Sequence, residues 1–129
     1  MNDWVYVCRV EDIPLLGARR VARERGAAVA VFRAAGDRVF ALLDRCPHKG
    51  GPLSQGLVHG HAVACPLHGW NIALDSGQAQ APDHGCTPRF AVKVEHGHVF
   101  LRRSELDQLG LDLERPVAGP ASKRCREHA

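Results

Sequence analysis

The sequence predicts an all-β domain built from antiparallel sheets, on three observations. Short runs rich in Val, Ile, Phe, Tyr and Trp recur from Trp4 to Leu101. Between them stand clusters of Gly, Pro and Asp that turn the chain. Only one stretch, beginning at Ser104, has the polar start and apolar spacing of a helix, and no internal repeat is visible.

The elements follow in order. Trp4 to Val10 (Trp-Val-Tyr-Val-Cys-Arg-Val) reads as a strand, and Glu11-Asp12-Ile13-Pro14 turns the chain after it. Ala27 to Arg33 and Arg38 to Leu43 are two more apolar runs joined through Ala34-Ala35-Gly36-Asp37, a hairpin pattern that delivers the chain into Asp44-Arg45. Gly56 to Ala64 reads as two short strands around a His-Gly turn. Trp70 to Leu74 alternates apolar with small or polar residues before Asp75-Ser76-Gly77 turns. Gln78 to Pro88 is a punctuated loop without periodicity, and Phe90 to Glu95 with His98 to Leu101 form a last hairpin around His96-Gly97. Ser104-Glu105-Leu106-Asp107 predicts one or two helical turns ending near Gly110. The remainder, Leu111 to Ala129, mixes charges with Pro116, Gly119 and Pro120 and reads as a flexible tail. The expected division is a domain over residues 1–103 and a C-terminal extension over 104–129.

A length of 129 residues supports one domain with one modest core. No apolar run approaches membrane-spanning length, and Met1-Asn2-Asp3-Trp4 lacks the basic and apolar regions of a secretory signal, so a cytoplasmic location away from membranes is expected. The net charge of +3 is small. Arg19, Arg20, Arg23, Arg25, Arg33, Arg38 and Arg45 gather in the first part of the chain. Glu11, Asp12, Glu24, Asp37 and Asp44 dilute them, which reads as a solvated face before a docking surface for an acidic partner. No nucleic-acid reading motif accompanies the basic residues, so no nucleic-acid partner is expected.

The chemistry is concentrated in Cys46-Pro47-His48, sixteen intervening residues, and Cys65-Pro66-Leu67-His68-Gly69-Trp70. Each half offers one thiolate and one imidazole. Such a set serves a closed tetrahedral zinc site, or a [2Fe-2S] cluster with both cysteines on one iron and both histidines on the other. Gly50, Gly51 and Gly69 let backbone N–H groups approach bridging sulfides, while Pro47, Pro52 and Pro66 stiffen the loops, and this favours the cluster. Of the five cysteines, Cys8, Cys86 and Cys125 are scattered and odd in number, and read as free thiols. His59, His61, His84, His96 and His98 fall at turns or on exposed strand faces and read as solvated. Trp70 reads as a core or site-covering side chain.

Cys46-Pro47-His48-Lys49-Gly50-Gly51-Pro52-Leu53 together with Cys65-Pro66-Leu67-His68-Gly69-Trp70 resembles the two cluster loops of a Rieske domain, over roughly residues 3 to 101. The resemblance implies an antiparallel β-sandwich with a cluster-binding subdomain at two hairpin loops, and one [2Fe-2S] cluster per chain held by Cys46, His48, Cys65 and His68. Two ferric ions, two sulfides and two thiolates sum to zero, so the oxidised centre accepts an electron more readily than a four-thiolate cluster. Rieske potentials accordingly span about −150 to +300 mV against about −400 mV for plant-type ferredoxins. The high-potential respiratory members carry an extra disulfide where this chain has Gly51 and Leu67, and sulfur-directed Ser and Tyr donors where it has Trp70 and Ile72. A potential at the low end is therefore expected. The loop around Cys86 lies close over the cluster in similar proteins.

Within the Rieske families, Asp44 to Gly56, Cys65 to Trp70 and Gly85-Cys86-Thr87-Pro88-Arg89-Phe90 most resemble the small subunit of cytoplasmic assimilatory NAD(P)H-dependent nitrite reductase. That likeness implies a large partner subunit carrying FAD, sirohaem and a [4Fe-4S] cluster, which reduces nitrite to ammonium in nitrate assimilation. The chain itself has no dinucleotide fingerprint and would be an electron-transfer subunit rather than a stand-alone enzyme. Two alternatives stand beside it: a Rieske ferredoxin serving an aromatic-ring dioxygenase, and a non-redox binding module stabilised by zinc.

Overall fold

The computed structural model describes residues 3–46, 51–66, 69–80 and 85–109. Within them the chain forms β1 (Trp4–Arg9), β2 (Gly17–Val21), β3 (Val29–Arg33), β4 (Val39–Leu43), β5 (Leu57–His59), β6 (Ala62–Ala64), β7 (Asn71–Ala73), β8 (Arg89–Phe90), β9 (Val92–Glu95), β10 (His98–Arg102) and a single helix α1 (Arg103–Gln108). The strands make three antiparallel sheets, ordered β1-β10-β9, β2-β3-β4-β8 and β5-β6-β7. The expected all-β antiparallel architecture is what the chain adopts.

The second sheet is the middle layer. Val29, Val31, Ala41 and Leu43 turn to one side, where they meet Cys8, Ile13, Val99, Leu101 and Leu109. Their neighbours Ala30, Phe32 and Leu42 turn to the other, against Leu53, Val58, Val63, Ile72, Leu74, Cys46 and Cys65. A strand buried on both faces has no polar positions to alternate, which is why β3 reads as the unbroken run Val29-Ala30-Val31-Phe32. Two cores thus share one sheet, and both cysteines of the motif belong to the second.

The hairpins close where the sequence places them. His96 and Gly97 both sit at positive φ (53° and 78°), the conformation a two-residue hairpin turn with the twist of its strands requires. β5 and β6 are joined through Gly60 (φ 57°) and His61. Strand β2 has no counterpart among the sequence expectations. Its Arg19 and Arg20 are exposed, Arg20 reaching Asp44 with its Nε, and as an edge strand with no fully buried residue it carries no apolar run to mark it. The helix predicted from Ser104 forms as α1, one residue earlier, and Leu106 and Leu109 seal the first core. The tail expected over Leu111 to Ala129 lies outside the described residues.

The arginine-rich segment is used one residue at a time. Arg23 donates to the carbonyls of Ala27 (2.7 Å), Leu106 (3.2 Å) and Leu109 (2.6 Å) and lies over the Phe90 ring, tying α1 to the loop after β2. Burial pulls its guanidinium below the usual arginine range. Arg33 pairs with Asp37 at 2.7 Å and donates to the Ile13 carbonyl at 3.0 Å. Arg23 and Arg33 are thus structural arginines that join separate segments rather than members of a uniformly solvated face.

Candidate metal centre

Cys46 lies three residues beyond β4, and Cys65 directly follows β6, so both hang from rigid strand ends. Both are present as thiols and both are buried, at 0% and 3% exposure. The two loops are closed in the same way. The Cys46 N–H donates to the Gly51 carbonyl at 2.8 Å, and the Cys65 N–H donates to the Trp70 carbonyl at 2.7 Å, five residues onward in each case. Gly69 adds a second clasp by donating to the Cys65 carbonyl at 3.0 Å from a positive φ of 72°, a conformation that favours glycine. The second loop is the turn of the β6–β7 hairpin, whose last pair is Ala64 with Asn71.

His48 and His68 lie outside the described residues. By sequence each falls inside one of the two closed necks, two residues after Cys46 and three after Cys65. The donor set therefore fits a metal group of mixed character: two soft thiols from buried necks and, by sequence, one imidazole within each loop. Trp70 is half-buried against the second core, as expected, and Ile72 is fully buried beside it.

The remaining site residues are sorted by their contacts. His59 and His61 are exposed at the far end of the β5–β6 hairpin, His59 bonded to Asn71 Oδ1 at 2.8 Å and His61 tilted against Phe40. His96 is an exposed turn residue, and His98 stacks edge-on against Tyr6. His84 lies outside the described residues. Cys8 is a buried thiol whose pKa is pushed up by that burial, with Arg19 pulling down and Asp12 pushing up. Cys86 departs from expectation. It is disulfide-bonded rather than a free thiol. An odd number of leftover cysteines rules out complete pairing but not one pair. Gly85, Cys86, Thr87 and Pro88 are all buried, and Thr87 joins the layers by donating its N–H to Gly77 (2.8 Å) and its hydroxyl to the Leu43 carbonyl (3.4 Å).

Asp44, which in the sequence stands as a diluting charge and as the first residue of the Asp44–Gly56 segment, has a defined place at the site. The Asp44 side chain is 1% exposed. It accepts from the Ser54 N–H at 2.7 Å, the Ser54 hydroxyl at 2.8 Å and Arg20 Nε at 3.1 Å. A hydrogen bond to a charged group contributes about 1.5–3 kcal/mol, whereas an ion pair with a largely exposed arginine contributes about 0–1 kcal/mol. Arg20 is 67% exposed, so Ser54 does most of the holding. The signal available in sequence is a carboxylate two residues before Cys46 matched by a hydroxyl ten residues on.

The Rieske [2Fe-2S] domain profile matches residues 3–91. The chain is 35% identical over 103 residues to the ferredoxin CarAc of Metapseudomonas resinovorans, covering 78% of this chain and 95% of that ferredoxin. It is equally similar, with the same coverage, to the 3-phenylpropionate/cinnamic acid dioxygenase ferredoxin subunit of Photorhabdus laumondii. Among solved structures, a chain of the complex of reduced oxygenase and oxidised ferredoxin in carbazole 1,9a-dioxygenase superposes with a TM-score of 0.70 at 31% identity, covering 80% of this chain and 95% of that one. A putative NADPH nitrite reductase small subunit superposes with a TM-score of 0.66 at 27% identity, covering 76% and 96%.

Proposed function

We propose that this chain, which belongs to the Rieske [2Fe-2S] domain family, is a ferredoxin that delivers single electrons to an oxygenase acting on an aromatic ring. The [2Fe-2S] cluster it binds supplies one-electron chemistry. In this reading Cys46 and Cys65 hold one iron in the buried necks of the two loops, and His48 and His68 hold the other at the loop tips. All four ligand positions come from the protein, so the chain offers no place for a substrate and acts by docking.

The observation that carries the choice of partner is extent. Both readings match proteins over nearly their whole length, so the extent that counts is that of identity: 35% to the ferredoxins and 31% to the carbazole dioxygenase complex chain, against 27% to the putative nitrite reductase small subunit. A docking face is consistent with the geometry. Leu57 pairs with Ala64 beside Cys65 and is 77% exposed, which puts an apolar side chain in solvent at the end of the sheet that carries the second loop. We place this exchange in the cytoplasm; no helix among the described residues is long and apolar enough to cross a membrane.

The second reading is the small subunit of assimilatory NAD(P)H-dependent nitrite reductase, with a large sirohaem, FAD and [4Fe-4S] subunit as partner. It is supported by the likeness to a putative nitrite reductase small subunit and by the Asp44–Gly56 and Gly85–Phe90 segments. Reconstitution separates the two. The loaded chain should restore NAD(P)H-dependent oxygenation when added to an aromatic-ring oxygenase and its reductase. No stimulation there, together with stimulated nitrite-dependent NAD(P)H oxidation by a sirohaem large subunit, would transfer the function to the second reading.

A further inference from the structure

We propose that Asp44 is a positioning residue of the metal centre: its buried carboxylate clasps the loop carrying Cys46 and holds a negative charge beside the cluster, with exposed Arg20 as its surface counter-charge. The residue is well placed for both. Its own N–H donates to the Ala28 carbonyl at 2.9 Å, which anchors it to the end of β3. Its side chain then crosses to Ser54, in the helical turn Leu53–Gln55 that follows the loop. The loop is therefore closed twice, by Cys46 to Gly51 inside and by Asp44 to Ser54 outside. The outer closure links the middle sheet to the turn whose Leu53 is buried in the second core.

The electrostatic half follows from the same placement. Asp44 is two residues from Cys46, so their Cα atoms are within about 7.6 Å. All three hydrogen bonds are donated to the carboxylate, which acts purely as an acceptor. A buried charge on a residue this near a ligand is weakly screened and opposes the arrival of an electron. Arg20 offsets it from the surface. Removing the two charges must therefore move the reduction potential in opposite directions, which a merely structural contact would not do.

The test uses the full-length, cluster-loaded chain as wild type, D44N, S54A and R20Q. Potentials are read by redox titration followed by electron paramagnetic resonance at one fixed pH. Cluster retention is read as the bleaching rate of the visible absorbance under excess chelator. D44N should titrate above wild type, R20Q below it and S54A close to it. Bleaching should quicken about tenfold in D44N, which neutralises the acceptor of the Ser54 bonds, and in S54A, which removes one of those bonds, and stay at the wild-type rate in R20Q. Failure of D44N to retain any cluster supports the clasp, and R20Q then carries the charge effect alone. An R20Q potential at or above wild type, or S54A bleaching at the wild-type rate, overturns the proposal. The proposal rests on Cys46 as a ligand, and a Cys46→Ala chain that still held its cluster would remove that premise separately.

Discussion

Cys8, Cys46 and Cys65 are all thiols sealed from solvent, and burial alone does not separate a ligand from a bystander. Position does. Cys46 and Cys65 stand in the necks of two matched loops, whereas Cys8 is in a strand of the first core, among Ile13, Val99 and Leu101. Its raised pKa keeps it protonated, which suits a small apolar core residue and not a metal ligand. Replacing Cys46, His48, Cys65 or His68 with Ala should therefore abolish the visible spectrum and the bound iron, while Cys8→Ala should keep both at a stability cost of about 1 kcal/mol. Bleaching of the Cys8→Ala protein would refute the assignment. At this scale the proposed ligand set shows in the sequence as two Cys-Pro motifs, each followed by a histidine, two residues on in the first and three in the second. Asp44 is not legible, because its role depends on Ser54 and Arg20, which only the folded chain brings to it. The state of Cys86 is hidden for a similar reason: composition fixes how many cysteines remain, and only the fold decides which of them meet.

Elements were legible where their residues face a core and illegible where they do not. The hairpin β3–β4 announces itself through two apolar runs, because both of its faces are covered. β2 shows only Gly-Ala-Arg-Arg-Val, because an edge strand can leave its arginines in water. The small hairpin that supports the second loop depends on a close approach that the sequence marks only as one more glycine. A Cβ at Gly56 would stand 2.1 Å from the Ala64 carbonyl oxygen and 2.9 Å from Val63 Cγ2, at the pair of strands leading to Cys65. Gly60, at the turn of the same hairpin, would meet nothing within 4 Å and has only its positive φ to object to a side chain. Gly56→Ala should thus cost about 2–3 kcal/mol of stability in denaturant unfolding and speed cluster loss, against about 1 kcal/mol for Gly60→Ala. Equal effects from the two substitutions would show that the backbone contact at Gly56 is not what fixes the hairpin.

Over the whole molecule, the two cores give the chain two ways to hold together, and only one of them contains the metal centre. The first core joins β1 and β10 to one face of the middle sheet, and α1 closes it with Leu106, Leu109 and the Arg23 clasp. The second joins the other face to β5, β6 and β7, which are three residues long each and too short for a stable sheet of their own. In the proposed assignment the second core is supplemented by the cross-link that the four ligands would make between the two loops, since metal binding to such a site is itself folding free energy. Removing the cluster should therefore loosen the molecule unevenly. Hydrogen exchange on the chelator-stripped chain should show protection lost across residues 57–73 and the loop after β4, while β3, β4 and β10 keep most of theirs. The middle sheet can remain because its first-core face, with Val29, Val31, Ala41 and Leu43, is untouched by the loss. If exchange rose equally in β10 and β6, the two cores would be one cooperative unit. If it rose in neither, the cluster would be a passenger on a fold that stands without it.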